Sequence, residues 1–287
     1  MEQKVEFRKV RDFGEIINDT FLFLKQMGKP LFKSVFTICG FLVVAQALIS
    51  IVYQLKVKDN ISAGAIGLSV RFGWEYLVML IISLVSYSIF SLTTLAFIHI
   101  YREKGNEAPT PPEVWVFVKF YLFKFIWMTI VTGTLIMLGF IFCLIPGFYL
   151  MPILSLIYPI MVIEGTTFGS AFDRSFKLVK GHWWTTFGVQ IIMFLIIYAG
   201  VIVVALPSMI ISGASLFLKP ETLPTSLTVF NAVFRVISYV LMILPTIGIT
   251  FSYYSLSEQK DGIGLMDRVN NLGSKSDNNI SLPTEEY

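Results

Sequence analysis

The sequence predicts an all-α membrane protein with six transmembrane helices. Charged residues make up only 14% of the 287-residue chain, whereas an average soluble protein carries about 25%. The mean hydropathy is +0.73, and several apolar runs exceed the roughly 18 residues that a helix needs to cross a bilayer. Backbone polar groups in lipid must pair within their own segment, so apolar runs of this length are expected to be helices.

Six apolar spans follow one another along the chain. They lie at residues 31–55, 75–101, 116–144, 147–163, 184–211 and 228–256. The fourth span is short and carries Pro146, Pro152 and Pro159, which predicts a kinked helix. The Ile145-Pro146-Gly147 turn leaves no room for a loop after the third span, so we expect a tight hairpin at one membrane face.

The polar ends of the chain complete this division. Residues 1–30 are predicted to be a cytoplasmic amphipathic segment, residues 31–256 the membrane domain, and residues 257–287 a disordered cytoplasmic tail rich in Ser, Asn and Asp. The first apolar run is too long for the core of a cleavable signal peptide, so we expect it to remain as a membrane anchor.

The distribution of basic residues predicts the orientation. Of the 22 Lys and Arg residues, 17 fall on the side of the two termini and 4 on the opposite side, with Arg235 inside the sixth span. Because basic residues concentrate on the cytoplasmic side of membrane proteins, we expect both termini in the cytoplasm. An even number of spans satisfies this arrangement.

An amphipathic stretch precedes each odd-numbered span. Residues 13–24, 114–125 and 168–179 all place apolar side chains at i, i+3 and i+4 spacing. Asp12 and Glu15 have the spacing of a capping box at the start of the first stretch. Thr110-Pro111-Pro112-Glu113 supplies a cap, first-turn prolines and a box for the second.

The first and third of these stretches align at an offset of 155 residues. Phe13-Gly14 matches Phe168-Gly169, Thr20-Phe21 matches Ser175-Phe176, Lys25 matches Lys180, and Phe32 matches Phe187. Two unrelated amphipathic helices could share phenylalanines by chance, but the Gly, the hydroxyl residue and the Lys are also in register. We therefore expect an internal parallel repeat, in which a surface helix leads into a membrane hairpin.

The residues from 145 to 184 carry a resemblance to known proteins. Ile145-Pro146-Gly147, Phe168-Gly169, Ser175-Phe176 and Lys180-Gly181-His182-Trp183-Trp184 resemble the membrane domain attached to some bacterial glycerophosphodiester phosphodiesterases. They are also similar to the stand-alone, multi-pass YciC-like proteins. The resemblance implies a helical protein of the bacterial inner membrane. In those phosphodiesterases the chemistry belongs to a separate soluble barrel, which this chain lacks, so the activity is not implied.

Two groups of residues are candidate sites. Arg174, Lys177, Lys180, Trp183 and Trp184 form a basic, aromatic edge at the cytoplasmic face. Such an edge serves as an ordinary membrane anchor or recognises anionic lipid head groups or a partner. The second group is a candidate intramembrane polar site.

That second site would be formed by Asn231 and Arg235, one helical turn apart in the sixth span. A charged residue inside a membrane is commonly functional, although Arg235 could also extend its side chain to the outer surface. Ser83, Tyr87, Ser91 and Thr94 form a further polar stripe on the second span, suited either to helix packing or to a substrate path.

Catalytic motifs are absent from the sequence. His99 and His182 are the only histidines, and no H-E-x-x-H, G-x-S-x-G or P-loop motif occurs. We therefore expect no metal and no cofactor. The net charge of +3 is too small to suggest a nucleic-acid partner. Cys39 and Cys143 both lie in apolar runs and are expected to be packing residues rather than a disulfide or a metal site.

These observations favour a non-enzymatic membrane protein that organises lipid or binds a membrane or cytoplasmic partner. The alternative is a permease or exporter of a small or amphiphilic molecule, because Pro152, Pro159 and Pro245 could mark the broken helices of a transporter. A third hypothesis, an intramembrane enzyme acting on lipid, lacks a visible pair of nucleophile and base.

Overall fold

The computed structural model describes residues 5–62, 73–142, 144–214 and 241–262, and this part of the chain is helical without strands. Its helices are α1 (Phe13–Ser62), α2 (Trp74–Glu103), α3 (Pro111–Phe142), α4 (Leu144–Ser155), α5 (Ile157–Ile163), α6 (Phe168–Val179), α7 (Trp183–Ala214) and α8 (Ile243–Asp261).

Five stretches among the described residues are long and apolar enough to cross a membrane. They are Phe13–Tyr53, Trp74–Glu103, Pro111–Phe142, Leu144–Ile163 and Trp183–Val203. The all-helical class and the membrane character of the chain are thereby confirmed. Residues 228–240 of the sixth predicted span lie outside the described residues. Residues 241–256 are described, and all but the first two belong to α8.

Helix α1 begins at the predicted capping box. The Glu15 N–H donates to Asp12 Oδ1 at 2.8 Å, and the Asp12 N–H donates to Glu15 Oε2 at 3.1 Å. The helix then runs unbroken to Ser62 with Pro30 inside it. This differs from the expected boundary at residue 30.

The apolar stripe of α1 explains why no break occurs. Ile16, Thr20, Phe23, Leu31 and Val35 are all buried, at steps of one or two helical turns. Because the buried positions stay in phase through Pro30, one continuous helix keeps both parts against the same neighbours.

Helices α3 and α4 form the predicted hairpin. The ring centroids of Phe140 and Phe148 are 5.2 Å apart, and a Cβ built on Gly139 would lie 3.1 Å from the Cα of Gly147. The chain reverses earlier than expected, however. Helix α4 already begins at Leu144, so the Ile145-Pro146-Gly147 sequence occupies its first turn. The N–H groups of a first turn have no acceptor within the helix, so a proline there, which lacks an N–H, loses no hydrogen bond.

The predicted kink of the fourth span is a break at Leu156 between α4 and α5. The Leu156 N–H donates to the carbonyl of Ile153, three residues earlier, at 3.3 Å. Pro159 has no N–H to offer to the carbonyl of Ser155, and its ring would crowd that carbonyl in a regular helix. The missing N–H and the ring of Pro159 therefore account for the break between α4 and α5.

The N-terminal segment packs into the helix bundle, which the sequence did not predict. Phe7 is buried and stacks on Phe251 of α8 with ring centroids 5.5 Å apart. It also makes edge contacts with Phe23, Tyr101 and Tyr254. This aromatic cluster joins α1, α2 and α8 to the start of the chain.

Helix α8 continues to Asp261, past the predicted start of the tail at residue 257. Gly262 ends it with a left-handed backbone (φ 61°), and its N–H donates to the carbonyl of Glu258. Glycine takes this conformation without a steric penalty, so it is a common helix terminator. Residues 263–287 lie outside the described residues.

Candidate functional site

Helix α6 carries Arg174 and Lys177 of the predicted basic edge, and Lys180 follows its last residue. Gly165 lies between α5 and α6, and Gly181 lies between α6 and α7. Both have positive φ angles, 65° and 89°, and they separate α6 from the helices on either side. One face of α6 is buried through Ala171, Ser175, Leu178 and Val179, while Lys177 on the opposite face is exposed.

A groove lies between α6, the start of α7 and helix α4. Its volume is about 380 Å³. Its lining residues are Tyr149, Ile153, Phe176, Lys177, Val179, Lys180, Gly181 and Trp183. Three residues of the predicted edge therefore meet here, together with an apolar floor. We call this feature the α4–α6 groove.

Trp183 is held in place at the end of this groove. Its indole N–H donates to the backbone carbonyl of Tyr149 at 3.0 Å. Its ring lies nearly parallel to those of Tyr149 and Phe187, with interplanar angles of 14° and 16°. Trp184 has a different environment, since 78% of it is exposed on the outside of α7. Trp183 thus shapes the groove, and Trp184 faces the surroundings.

The two lysines at the rim have no counter-charge among the described residues. Neither Lys177 nor Lys180 makes an ion pair there. Both are exposed, whereas Ile153 and Val179 on the floor are buried. A pair of ammonium groups beside an apolar slot can bind a phosphate group and cover part of an acyl chain.

Arg174 lies apart from this groove, although the sequence grouped it with the lysines. Its Nε is 3.3 Å from Glu164 Oε1, and its two terminal nitrogens donate to the two carboxylate oxygens of Asp261. The hydrogen bond to Asp261 raises the pKa of Arg174. Two carboxylates compensate its charge, so Arg174 links α6 to α8 instead of facing a head group.

The partners of Arg174 form a second polar cluster, which sequence reasoning missed. The Tyr253 hydroxyl donates to Glu164 Oε1 at 2.8 Å, and Arg102 donates to the Tyr254 hydroxyl at 3.2 Å. These groups border a cavity of about 240 Å³. The only sequence signal was the Tyr253-Tyr254 pair beside a polar helix end.

Burial and hydrogen bonding act against each other at Asp261. Burial raises the pKa of its carboxyl group, but the hydrogen bonds from Arg174 and Ser257 outweigh this effect and leave the pKa lowered. The ionised form is therefore the one that the folded chain stabilises.

The remaining candidates are dispersed. Asn231 and Arg235 lie outside the described residues. His99 is buried near Glu103, with its Nε2 3.3 Å from a carboxylate oxygen, and His182 borders a separate cavity beside Arg11. Within the described ranges, no three His, Cys, Asp or Glu residues are grouped as a metal ion would require.

The polar stripe of the second span makes one hydrogen bond to α1 and one within its own helix. Gln46 of α1 donates to the Ser83 hydroxyl at 2.8 Å, and Thr94 donates to the carbonyl of Phe90 in its own helix. Tyr87 and Ser91 border a cavity of about 20 Å³. That space holds about one water molecule.

The fold and these sites define the chain as a helical protein with several apolar, membrane-length helices. Residues 114–256, just under half of the chain, match the model of a domain of unknown function (DUF7847). The match begins in α3 and covers the α4–α6 groove. Comparison with curated proteins and with solved structures finds no match.

Proposed function

We propose that the chain is a non-enzymatic protein of the bacterial inner membrane that binds anionic lipid at its cytoplasmic face through the α4–α6 groove. The observation that carries the proposal is the pairing of Lys177 and Lys180 with an apolar floor. The lysines suit a phosphate group, while Tyr149 and Ile153 suit the first part of an acyl chain.

The location of the groove supports this occupant. Helix α6 presents one buried face and one face with exposed lysine, as in helices that lie at a membrane surface. Trp183 and Trp184 stand beside it, and tryptophan is enriched at the boundary between lipid and water. A lipid at this boundary reaches the groove without leaving the membrane.

Lipid binding is tested by exchanging charge inside and outside the groove. We expect the double variant Lys177→Gln/Lys180→Gln to lose most of the phosphatidylglycerol that remains bound to the wild-type protein in native mass spectrometry from mild detergent. The double variant Lys25→Gln/Lys29→Gln removes the same charge from exposed positions of α1 and serves as the control. Equal lipid retention by both variants would refute the proposal.

The two ends of the described chain support a common cytoplasmic face. The Arg11 N–H donates to the Ser255 hydroxyl at 2.9 Å, so the N-terminal segment and the end of α8 lie together. This end also carries Arg102, Arg174 and Lys260, members of the larger basic set. The excess of basic residues there favours the cytoplasm.

Cysteine labelling tests the orientation. In a background without Cys39 and Cys143, we expect Ser62→Cys and Thr222→Cys to react with an impermeant thiol reagent in intact cells, or in spheroplasts if an outer membrane intervenes. Ser274→Cys should remain unlabelled. Thr222 and Ser274 lie outside the described residues. Labelling of Ser274→Cys under these conditions would reverse the orientation.

The burial pattern supports the proposed repeat. Ile16 and Ala171 are buried, Thr20 and Ser175 are fully buried, and Phe23 and Leu178 are at most 1% exposed, all at the offset of 155 residues. Thr20 and Ser175 also both donate to carbonyls of the preceding turn. Phe21 and Phe176 agree less well, because Phe21 is 41% exposed and Phe176 is half-buried.

The alternative function, transport, gains less support. A transporter needs a polar path towards the middle of the membrane, and within the described part of the chain Tyr87 and Ser91 of the polar stripe border a cavity of about 20 Å³. Pro152 and Pro159 produce the break at Leu156, but the residues on both sides of that break are buried against other helices. This favours packing over passage.

A further inference from the structure

We infer that the hairpin formed by α3, α4 and α5 enters the membrane from the cytoplasmic face and returns to it, without reaching the opposite face. Its partner would be the acyl chains of the cytoplasmic leaflet. Naming that leaflet rests on the proposed orientation, whereas the re-entrant path rests on the contacts of the hairpin itself.

Both ends of the α4–α5 pair contact the same end of the helix bundle. Near its start, the carbonyl of Tyr149 accepts a hydrogen bond from Trp183, the first residue of α7. At its close, Glu164 accepts hydrogen bonds from Tyr253 of α8 and from Arg174.

Trp183 and the end of α8 lie at one level of the bundle. Lys260 in the last turn of α8 donates to the carbonyl of Lys180 at 3.3 Å. Thr186 of α7 and Ser255 of α8 border a common cavity together with Arg11. The residues that hold Tyr149 and those that hold Glu164 therefore belong to the same end.

These contacts are incompatible with a helix pair that crosses the bilayer. About 22 Å of helix separates Tyr149 from Glu164. A crossing helix would carry its ends to opposite faces of a hydrocarbon layer about 30 Å thick. Helices α1 and α2 do reach a second end, where Lys56 forms an ion pair with Glu75. Among the described residues, the side-chain hydrogen bonds and ring contacts of α4 and α5 do not involve either member of that pair.

The tip of the hairpin is chemically suited to lipid. Residues 125–163 contain no Asp, Glu, Lys or Arg. At the tip, Phe142, Leu144 and Ile145 are 83%, 66% and 76% exposed, and an apolar surface this open favours contact with acyl chains over water. The last turns of α1 and the connection to α2 differ, since the first carry Lys58 and the second carries Arg71.

A re-entrant hairpin leaves the placement of the termini intact. It removes two of the six predicted crossings, so the number of crossings stays even. The outward face of α3 includes Phe120, Phe123 and Trp127, each more than half exposed. These side chains would contact lipid in one leaflet only.

A cysteine at the tip tests the inference. Ile145→Cys is made in the background Cys39→Ser/Cys143→Ser, with Ser62→Cys as the control for the far face and Ser170→Cys, on the exposed side of α6, as the control for the near face. In intact cells, we expect an impermeant maleimide to label Ser62→Cys and to leave Ile145→Cys and Ser170→Cys unlabelled. Labelling of Ile145→Cys to the level of Ser62→Cys would overturn the inference.

A crossing hairpin whose tip ended just below the far face would also leave Ile145→Cys unlabelled, and a distance measurement distinguishes this case. Nitroxides on Ile145→Cys and Trp184→Cys, both at exposed positions, are compared by pulsed electron paramagnetic resonance in lipid nanodiscs. We expect a separation well below the membrane thickness, because Tyr149 and Trp183 are in contact. A separation near about 30 Å would mean a crossing hairpin. An inverted orientation would exchange the two labelling controls and leave this distance unchanged.

Discussion

Arg11 and Ser255, 244 positions apart, exchange two hydrogen bonds. The Arg11 N–H donates to the Ser255 hydroxyl at 2.9 Å, and that hydroxyl lies 3.2 Å from the Arg11 carbonyl. Beside them, the Arg11 guanidinium is fully buried, with Nε 2.7 Å from Asp19 and Nη1 2.8 Å from the carbonyl of Phe7. The N-terminal segment is therefore fastened to both α1 and α8.

Replacing Arg11 by Met should destabilise the protein strongly. The substitution keeps much of the side-chain volume but leaves Asp19 without its donor, and breaking a buried pair in this way costs about 3–5 kcal/mol. The carbonyl of Phe7 also loses one of its two donors and keeps the Lys9 N–H. We expect a lower midpoint of unfolding in detergent, followed by circular dichroism. Lys9→Met is the control, because the Lys9–Glu15 pair is exposed and its loss should have little effect. Equal midpoints for both variants would show that Arg11 does not anchor the segment.

Gly147 should not tolerate a side chain. A Cβ at this position would lie 2.6 Å from Cδ1 of Phe140, so Gly147→Ala must separate α3 from α4 or shift the ring. Overpacking of this kind costs about 1–3 kcal/mol. Gly133→Ala is the matched control in α3, where an added Cβ meets nothing within 4 Å. In thermal unfolding, we expect a lower melting temperature for Gly147→Ala than for Gly133→Ala. A Gly147→Ala protein as stable as the control would contradict the close contact.

Local patterns predicted the elements of the fold well. The capping box at Asp12 and Glu15 depends on residues three positions apart, and the break at Leu156 depends on Pro159, so both are visible in a short stretch of sequence. The burial of Phe7 was not visible, because it depends on Phe251 and Tyr254 far along the chain.

The candidate site was predicted in part for the same reason. Lys177, Lys180 and Trp183 are neighbours in sequence and meet in one groove. Arg174 precedes Lys177 by three residues, as Lys177 precedes Lys180, but its side chain binds Asp261. Asp261 belongs to the segment that the sequence predicted to be disordered. Hydropathy also cannot distinguish a crossing hairpin from a re-entrant one, since both are equally apolar.

The Arg174–Asp261 pair predicts a dependence of stability on pH. Because the pKa of Asp261 is lowered in the folded chain, the ionised carboxylate adds stability above the unfolded pKa of about 3.9. This contribution is lost as the pH falls through the lower, folded pKa. We expect the difference in melting temperature between wild type and Asp261→Asn to be small but constant from pH 7 to 5, and to shrink below pH 4. A difference that grows on acidification would contradict this assignment.

Phe176 connects the groove to the packing of α6. Its ring lies 4.9 Å from that of Phe172, and its side chain borders the groove beside Lys177. Phe176→Asp places a charge on this half-buried face at a cost of about 2 kcal/mol or more. We expect α6 to detach, which would lower the melting temperature and unfold the backbone around Lys177 and Lys180, so that trypsin cleaves after these exposed lysines. Ser170→Asp is the control, since it adds the same charge at an exposed position of the same helix. If both variants resist trypsin as well as wild type does, Phe176 does not hold α6 in place.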